Sequence, residues 1–568
     1  MNALERYHYW LSSPDIADAD KAELWDIKDD LNEIVERFYT ELSFGTAGLR
    51  GILGAGDNRM NVYNVRRATE GLARYLTSLP HEGERAVCIA YDSRRFSDVF
   101  ARESACVLAA HGISVYLFST LHSVPQLSFA TRYYKCMAGI VITASHNPPK
   151  YNGYKVYWSH GGQVAPREAD AILDNIRGVE GFATAYMPYQ KALRDGLVTL
   201  IGREVDEAYF AATLSLLLYP ALDREKGPSM PLIYTPLHGT GYVPVTTVLS
   251  RMGLTQVFVV DKQRAPDPDF PTVASPNPED PNAFTLALRL AEEKKADVIL
   301  ATDPDADRLG VNVRKQDGTW VTLTGNQIGS ILIYSLLSAY KATGKLPLGG
   351  LVVKSLVSTR LADAICARFN VTCKEVLTGF RFISEEIARC EEKGDNTFLF
   401  GFEESYGFLA GGFARDKDAI CAAMLVAEAC IAARARGLTL YDLLQEIYKE
   451  FGYFKESVKS YTLEGKTGIE RINTAMVALR AAPPAEVAGF AIAKAVDYKN
   501  PDETGLPPSN VLRYSLENGA WIAVRPSGTE PKLKLYIGAD ADSEPAVDAL
   551  LAQLMDGMDG LLCGYLYE

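Results

Sequence analysis

Short apolar segments rich in β-branched residues alternate with longer helical patterns along most of this 568-residue chain. This alternation is typical of βα units, in which parallel strands are joined by helices that cover the sheet. Predicted strands of this kind lie at residues 86–91, 113–118, 139–142, 257–260, 297–301, 351–353 and 397–400. The pattern favours a layered α/β architecture and makes fibrous, coiled-coil and disordered structures poor interpretations.

Polar loops follow three of these predicted strands. They read Thr143-Ala-Ser-His-Asn-Pro148, Thr302-Asp-Pro-Asp-Ala-Asp-Arg308 and Gly401-Phe-Glu-Glu-Ser405. Open α/β sheets bind their ligands at the carboxyl ends of the strands, which is where these loops begin. We therefore expect three similar α/β domains, each contributing one loop to a common cleft.

The C-terminal part of the chain has a different pattern. Residues 521–524 and 533–537 are predicted strands, and the short loop Arg525-Pro-Ser-Gly-Thr-Glu-Pro531 between them is too short for a helical crossover. A fourth domain of α+β type is therefore expected. The predicted domains are α/β at 1–205, 206–323 and 324–450, and α+β at 451–568.

Charge and cysteine content limit the possible partners. The net charge is −13 and no Lys/Arg-rich block occurs, which disfavours nucleic-acid binding. The nine cysteines lack C-x-x-C and zinc spacing and are predicted to be small core residues in a reducing compartment. Since no signal peptide and no membrane-spanning run is evident, we expect a cytoplasmic protein without a membrane partner.

Asp303, Asp305 and Asp307 alternate with other residues after a predicted strand. In an extended segment these positions project to one side, and three neighbouring carboxylates repel one another unless a cation neutralises them. An all-oxygen ligand set favours Mg²⁺ over zinc, and arginine at 308 excludes an EF-hand, which needs glycine there. A solvated acidic turn is an equally good interpretation of the triad alone, but the guanidinium of Arg308 favours a site that handles phosphate.

Ser145 lies in a turn-rich loop that is expected to expose its hydroxyl. The loop lacks the G-x-S-x-G pattern of acyl hydrolases. Adjacent residues of an extended chain point to opposite sides, so a direct contact with His146 is not expected, and a local structural role is favoured for that histidine. Lys155 is either a surface lysine or, if it faces the loop, a general acid/base.

Two further segments have the composition of ligand-binding loops. Arg525, Ser527, Gly528 and Thr529 combine a guanidinium, hydroxyls and freely accessible backbone amides, which suits a phosphate, although an ordinary hairpin turn would look similar. Glu403 and Ser405 could accept hydrogen bonds from sugar hydroxyls or cap a helix. A third segment, His238-Gly-Thr-Gly241, is half of a dinucleotide fingerprint, but Pro244 occupies the third glycine position, so we interpret it as non-nucleotide.

Five motifs of the chain resemble, in the same order, those of the α-D-phosphohexomutase superfamily. They are Phe44-Gly-Thr-Ala-Gly-Leu-Arg50-Gly and the segments 143–148, 303–308, 401–405 and 525–529. Within it, the chain is most similar to the bacterial α-phosphoglucomutases of the phosphopentomutase-related subgroup. The resemblance covers essentially the whole chain. It implies a four-domain, heart-shaped fold around a central cleft.

The resemblance also implies roles for individual residues. Ser145 would be phosphorylated in the resting enzyme and would hold Mg²⁺ together with Asp303, Asp305 and Asp307. Four cations would surround the transferring phosphoryl group, namely Arg50, Lys155, Arg308 and Lys417, with Lys155 as acid/base. Substrate contacts would come from His146, Thr378, Glu403, Ser405, Arg525, Ser527, Gly528 and Thr529, the last four clamping the non-reacting phosphate.

The implied activity is the interconversion of α-D-glucose 1-phosphate and glucose 6-phosphate through a phosphoserine and a glucose 1,6-bisphosphate intermediate, by a monomer or homodimer. Mannose-accepting relatives often have Gly-His where Tyr406-Gly407 follow Ser405, which favours glucose. Phosphopentomutase, phosphomannomutase and sugar-bisphosphate synthase activities stay open. From other classes, a metal-dependent phosphohydrolase and a non-catalytic sugar-phosphate-binding protein are the alternatives.

Overall fold

A computed structural model describes residues 1–42, 44–45, 48–463, 465–527 and 532–567. The chain divides into two compact units. The first contains Met1–Thr324, Ser384–Gly394 and Ser405–Gly437, and the second contains Gly325–Ile383, Asp395–Glu404 and Leu438–Glu568. None of the described helices combines the length and the hydropathy of a membrane-spanning segment.

The first sheet has seven strands in the order β1-β2-β6-β5-β3-β4-β7. Strands β5, β3, β4 and β7 are parallel, whereas β1, β2 and β6 pair antiparallel. The strands are β1 Phe44–Gly45, β2 Gly48–Ile52, β3 Ala86–Tyr91, β4 Ser114–Phe118, β5 Ala138–Ile142, β6 Tyr151–Trp158 and β7 Val198–Ile201. The helices are α1 Ala3–Ser12, α2 Asp18–Asp26, α3 Leu31–Phe38, α4 Val62–Ser78, α5 Ser97–Ala110, α6 Val124–Tyr133, α7 Pro166–Arg177 and α8 Tyr189–Arg194.

The second sheet also belongs to the first unit and has the order β12-β11-β10-β8-β9. Its parallel strands are β8, β9 and β10, and β11 and β12 complete it antiparallel. The strands are β8 Leu232–Thr235, β9 Val257–Val259, β10 Val298–Thr302, β11 Leu309–Arg314 and β12 Trp320–Leu323. The helices are α9 Arg203–Leu214, α10 Pro220–Lys226, α11 Tyr242–Met252, α12 Asp261–Arg264 and α13 Thr285–Lys294, with 3₁₀ turns at Gly227–Ser229 and Pro281–Phe284.

The next group of strands is parallel, with β13 between β14 and β15. Their bounds are β13 Gly350–Ser355, β14 Thr372–Val376 and β15 Thr397–Glu403. The helices in this part of the chain are α14 Gly325–Ala342, α15 Leu361–Arg368 and α16 Phe380–Lys393. After β15, the chain continues through β16 Gly407–Ala410, α17 Ala419–Ala435 and α18 Leu440–Phe451. Of these, β16 and α17 belong to the first unit.

The last sheet is antiparallel throughout, in the order β17-β22-β21-β20-β19-β18. Its strands are β17 Tyr453–Thr462, β18 Glu486–Val487, β19 Phe490–Asp497, β20 Leu512–Leu516, β21 Trp521–Pro526 and β22 Lys532–Ala541. The helices are α19 Gly465–Ala481, α20 Pro501–Thr504 and α21 Glu544–Tyr567. Because β21 and β22 form a hairpin with Arg525 opposite Lys534, the predicted strand–loop–strand arrangement is confirmed.

Every predicted strand overlaps an observed one, and the differences lie at strand ends. The observed strands extend into polar residues that a hydropathy pattern does not identify as strand, for example to Glu403 at the end of β15. All nine cysteines are free, and seven are buried as predicted, whereas Cys373 and Cys563 are partly exposed. The domain boundaries 1–205, 206–323, 324–450 and 451–568 stay a prediction.

The first unit contains a buried pair of carboxyl groups, Asp223 on α10 and Glu428 on α17. Glu428 accepts the backbone N–H groups of Leu218 at 2.7 Å and Tyr219 at 2.6 Å. Burial raises the pKa of both acids, and the charge of Asp223 raises that of Glu428 further. A proton shared between two such carboxyl groups relieves their repulsion, so loss of that proton should destabilise the fold.

We expect Glu428→Gln to reduce the fall in the free energy of unfolding that occurs as pH rises. The raised folded-state pKa means that the native protein binds more protons than the unfolded chain, so wild-type stability falls as pH rises, by up to about 1.4 kcal/mol per pH unit. The glutamine keeps an acceptor for Leu218 and Tyr219 and carries no charge. Urea midpoints of both proteins between about pH 4.5 and about pH 8, the range from the ordinary pKa of Glu428 to its value in the folded protein, test this, with the exposed Glu225→Gln as control. Parallel wild-type and E428Q curves would contradict it.

Candidate active site

Ser145 lies in a tight turn just after β5, with a φ of 53°. Its side-chain Oγ donates a hydrogen bond to Oδ2 of Asp303 at 2.8 Å, and its backbone N–H donates to the hydroxyl of Thr143 at 2.9 Å. The residue is 4 % exposed. The expectation of an exposed hydroxyl was therefore wrong, because the turn folds back onto the carboxylates that follow β10.

The three aspartates come together, but not in the way the alternation suggested. Residues 303–307 form a turn rather than an extended segment, and Oδ1 of Asp303 accepts the backbone N–H groups of Asp307 at 3.1 Å and Arg308 at 3.0 Å. Carboxylate oxygens of Asp303, Asp305 and Asp307 lie within 4.8 Å of one another. The turn thus produces the convergence that the spacing was expected to give.

The donor set of this triad fits a hard divalent cation. All three side chains are buried, and the atoms that they offer to a metal ion are carboxylate oxygens. Oδ1 of Asp305 and Oδ1 of Asp307 are buried without a hydrogen-bond partner in the described part of the chain. Buried carboxylate oxygens are costly when unsatisfied, and a metal ion would satisfy them. The triad is therefore a candidate metal site.

Two lysines pair with the triad. Nζ of Lys155 on β6 is 3.0 Å from Oδ2 of Asp305, and Nζ of Lys417 is 3.1 Å from Oδ2 of Asp307. Burial and the neighbouring carboxylates raise the pKa of Asp303 well above its usual value. Burial acts in the same direction on Asp305, but the ammonium group of Lys155 outweighs it and lowers the pKa of that carboxyl. Lys155 thus faces the site rather than the solvent.

The two predicted arginines lie around the same loops. Arg308 forms an ion pair with Glu279, and its Nε is 4.0 Å from Oδ1 of Asp307. Arg50 on β2 donates to the side-chain oxygen of Asn147 at 3.2 Å. The first unit therefore brings Arg50, Lys155, Arg308 and Lys417 to the loops of Ser145 and the aspartates.

His146 departs from the expectation for adjacent residues. Its Nδ1 is 3.1 Å from Oγ of Ser145, because the left-handed backbone of Ser145 breaks the alternation of an extended chain. Burial lowers the pKa of His146 well below its usual value, and the charges of Arg308 and Arg50 add to this effect. The ring is therefore neutral near pH 7 and can exchange a hydrogen bond with the serine.

Thr378 and Glu403, predicted to contact substrate, lie in the second unit. Oε1 of Glu403, at the end of β15, accepts the backbone N–H of Gly379 at 2.6 Å. The hydroxyl oxygen of Thr378 is buried and has no hydrogen-bond partner among the described residues. A buried hydroxyl that has no hydrogen-bond partner among the described residues suits a polar ligand.

Arg525 and Ser527 also lie in the second unit, at the end of the β21–β22 hairpin. The backbone N–H of Ser527 donates to the carbonyl of Lys532 at 2.7 Å, which closes the hairpin. The positive charge of Arg525 partly offsets the rise that burial causes in the pKa of the Tyr536 hydroxyl. Gly528 and Thr529, the other predicted members of the phosphate clamp, lie outside the described residues.

Ser405 belongs to the first unit, where the segment that follows it contacts the metal-site turn. The carbonyl of Tyr406 accepts the backbone N–H of Leu309 at 3.1 Å. A Cβ at Gly407 would lie 2.2 Å from Cδ of Lys417, so glycine is required for this lysine to reach Asp307. Tyr406-Gly407, which stands where mannose-accepting relatives often have Gly-His, thus has a structural role in addition to its proposed effect on sugar preference.

The glycine motif at residues 238–241 supports the metal-site turn. Thr240 donates its N–H and its hydroxyl to the carbonyl of Pro304, at 2.8 and 2.9 Å. A Cβ at Gly239 would lie 2.3 Å from Cα of Pro304, so only glycine allows this approach. This contact agrees with the non-nucleotide interpretation of the motif.

Sequence reasoning missed Asp92 and Arg94, which are both buried behind the serine loop. Arg94 donates to four backbone carbonyls of residues 145–151. The signal was available, because Asp92-Ser-Arg94 directly follows the strand predicted at 86–91. Two opposite charges at the carboxyl end of a buried strand mark a polar loop like those that follow β5 and β10.

Four family models match the chain in consecutive order. They describe phosphoglucomutase/phosphomannomutase alpha/beta/alpha domains I, II and III, at residues 41–181, 207–318 and 324–451, and the C-terminal domain of the same family at 476–557. The chain belongs to the phosphoglucomutase/phosphomannomutase family. The predicted succession of three α/β domains and a C-terminal α+β domain is thereby confirmed, and the chain is an enzyme of the phosphohexomutase superfamily.

Curated relatives extend this similarity. A phosphoglucomutase of Staphylococcus epidermidis is 38 % identical over 519 residues, which cover 89 % of this chain and 92 % of the relative. A phosphoglucomutase of Staphylococcus aureus is 38 % identical over 514 residues, covering 88 % of this chain and 90 % of the relative. Both alignments span nearly the full length of the relatives.

Solved structures share the fold. The open form of parafusin, a phosphoglucomutase from Paramecium, superposes with a TM-score of 0.70 at 17 % identity, covering 93 % of this chain and 96 % of the other. A phosphomannomutase-like protein from Thermus thermophilus gives a TM-score of 0.68 at 24 % identity, covering 92 % of this chain and 99 % of the other. At these identities the likeness concerns the fold alone.

Proposed function

We propose that the protein is a phosphoglucomutase, which interconverts α-D-glucose 1-phosphate and glucose 6-phosphate through a phosphoserine at Ser145. The observation that carries this proposal is the hydrogen bond of 2.8 Å from Oγ of Ser145 to Asp303 within a buried all-oxygen triad. A serine hydroxyl beside carboxylates that can hold a metal ion is suited to carrying a phosphoryl group. The curated phosphoglucomutase relatives at 38 % identity support the same assignment.

In the proposed reaction, phosphorylated Ser145 gives its phosphoryl group to the free 6-hydroxyl of glucose 1-phosphate. The bond between phosphorus and the serine oxygen breaks, and a bond to the sugar oxygen forms. The proton of that hydroxyl passes to Lys155, which acts in its uncharged amine form and returns the proton to the 1-oxygen of the sugar in the second transfer. The resulting glucose 1,6-bisphosphate reorients and returns its 1-phosphoryl group to the serine, so glucose 6-phosphate is released. Arg50, Arg308 and Lys417 bring positive charge to the phosphoryl oxygens during both transfers.

Mg²⁺ is the metal that we propose for the triad of Asp303, Asp305 and Asp307. When bound, it would supply a Lewis acid that neutralises the charge of the transferring phosphoryl oxygens. Glucose 1,6-bisphosphate would act as activator by phosphorylating Ser145. Small sugar phosphates are the proposed partners. A cytoplasmic location and a monomeric or homodimeric state stay predictions.

The test is the formation of glucose 6-phosphate from glucose 1-phosphate with Mg²⁺ and a trace of glucose 1,6-bisphosphate. We expect fast conversion, and its loss when the metal is removed with a chelator. Parallel assays with mannose 1-phosphate and ribose 1-phosphate measure the competing mutase activities. Release of inorganic phosphate without isomerisation would contradict the proposal and favour a phosphohydrolase.

Replacing Arg525 with alanine should weaken the binding of sugar phosphates. A guanidinium bonded to a phosphate contributes about 1.5–3 kcal/mol, so we expect KM for glucose 1-phosphate to rise about 10- to 100-fold. The exposed Lys494→Ala on β19 of the same sheet serves as control. Steady-state kinetics that show unchanged KM in R525A would exclude a phosphate-binding role for this residue.

A further inference from the structure

Arg94 is an arginine with no solvent-exposed side-chain surface, located just after β3. One guanidinium nitrogen donates to the carbonyls of Ser145 and Asn147, and the other donates to the carbonyls of Pro148 and Tyr151, both at 3.0 Å. A single side chain therefore binds four carbonyls of one loop. The planar fork of arginine allows this, because it presents several N–H groups in fixed directions.

Asp92 completes the support from the same strand end. Its carboxylate accepts the hydroxyls of Thr143 at 2.6 Å and Ser97 at 2.8 Å, and it lies 3.4 Å from Nε of Arg94. The hydroxyl of Thr143 in turn accepts the N–H of Ser145. The N–H and the carbonyl of Ser145 are thus both held, directly or through Thr143, by the pair of Asp92 and Arg94.

This support coincides with an unfavourable backbone conformation. A φ of 53° is unusual for a serine and is unfavourable unless the surroundings fix it. Fixing the peptide groups on both sides of a residue fixes its φ and ψ. In that conformation the Oγ of Ser145 reaches Asp303 and Nδ1 of His146.

Arg94 itself has no access to a substrate. Its guanidinium carbon lies 5.0 Å from the ring centroid of Phe270, which packs over it. Asp92 and the serine loop cover the rest of the side chain. An effect of Arg94 on the reaction must therefore pass through the loop that it holds.

We propose that Arg94, together with Asp92, is a positioning residue that holds Ser145 in its left-handed conformation and directs Oγ towards the metal-binding carboxylates. The inference rests on the proposed phosphorylation of Ser145. It concerns the rate of phosphoryl transfer to and from this serine, and it leaves the binding of sugar phosphate to other residues.

The test is Arg94→Lys, which keeps the positive charge but has at most three N–H groups for four carbonyls. Two rates are measured: kcat for isomerisation, and the single-turnover transfer of labelled phosphate from glucose 1,6-bisphosphate to Ser145. We expect both to fall about 100-fold, since small misplacement of a reacting group has effects of that size. KM for glucose 1-phosphate should stay within about threefold of wild type. The control is Arg95→Lys, an exposed neighbour paired with Asp269.

Asp92→Asn is the second variant, because it keeps the size of the aspartate while removing its charge and one of its two acceptor oxygens. It should give the same split between kcat and KM. Wild-type rates in both folded variants, or loss of folding in both at the assay temperature, would overturn the inference. Wild-type protein that neither takes up label nor isomerises the sugar phosphate would overturn the proposed function as well, so the two failures are distinguishable.

Discussion

Replacing Ser145 with alanine is expected to lower kcat for isomerisation at least about 10⁴-fold, because a methyl group cannot carry a phosphoryl group. The variant loses the hydrogen bonds from the hydroxyl to Asp303 and His146. It should still fold normally, because Arg94 holds the serine loop through its backbone carbonyls. Mg²⁺ and glucose 1,6-bisphosphate are supplied in excess, so that neither limits the rate.

The control for this variant is Ser104→Ala. Ser104 is equally buried, and its hydroxyl donates to the carbonyl of Phe100 within α5. It should retain wild-type kcat with a small loss of stability. Isomerase activity in S145A within about tenfold of wild type would rule out a phosphoserine at this position.

The second large effect is expected for Asp305→Asn, which should lower the affinity for Mg²⁺ at least about 100-fold. Changes to groups that only support a metal ligand cost 10- to 100-fold, so loss of a charged ligand should reach the upper end or beyond. The neighbouring ammonium groups of Lys155 and Lys417 then face two carboxylates of the triad instead of three, which further disfavours a cation. Titration calorimetry with Mg²⁺ measures the affinity independently of turnover.

Asp261→Asn on α12 is the control, because Asp261 is exposed and lies in the same domain as the triad. It should bind Mg²⁺ like the wild type. Equal affinity in D305N and the wild type would mean that the metal does not bind at the triad. The unsatisfied oxygens of Asp305 and Asp307 would then need another explanation.

Local patterns predicted most of the fold. The β-branched runs identified the strands, because their burial depends mainly on their own hydrophobicity. The polar loops after β5 and β10 were placed correctly, since in parallel sheets chain direction alone determines at which edge a loop emerges. The hairpin of β21 and β22 followed from the length of its loop, which cannot contain a crossover helix.

The details of the site depended on contacts between distant parts of the chain. Alternation in an extended chain predicted separate directions for Ser145 and His146, and it fails because Arg94 holds a left-handed backbone at Ser145. The same rule assumed an extended segment for the aspartates, where the structure has a turn closed by the carboxylate of Asp303. Such constraints connect residues more than fifty positions apart or a backbone to its own side chain, and periodicity contains no information about either.

The most direct test of the proposed transfer through Ser145 is to follow the phosphoryl group itself. Enzyme labelled at Ser145 with radioactive phosphate is mixed with unlabelled glucose 1-phosphate and Mg²⁺, and the label is traced over a single turnover. We predict that it leaves Ser145 and appears in glucose 1,6-bisphosphate and glucose 6-phosphate. Label that stays on the protein, or that is released as inorganic phosphate, would contradict the proposal that Ser145 carries the transferred phosphoryl group.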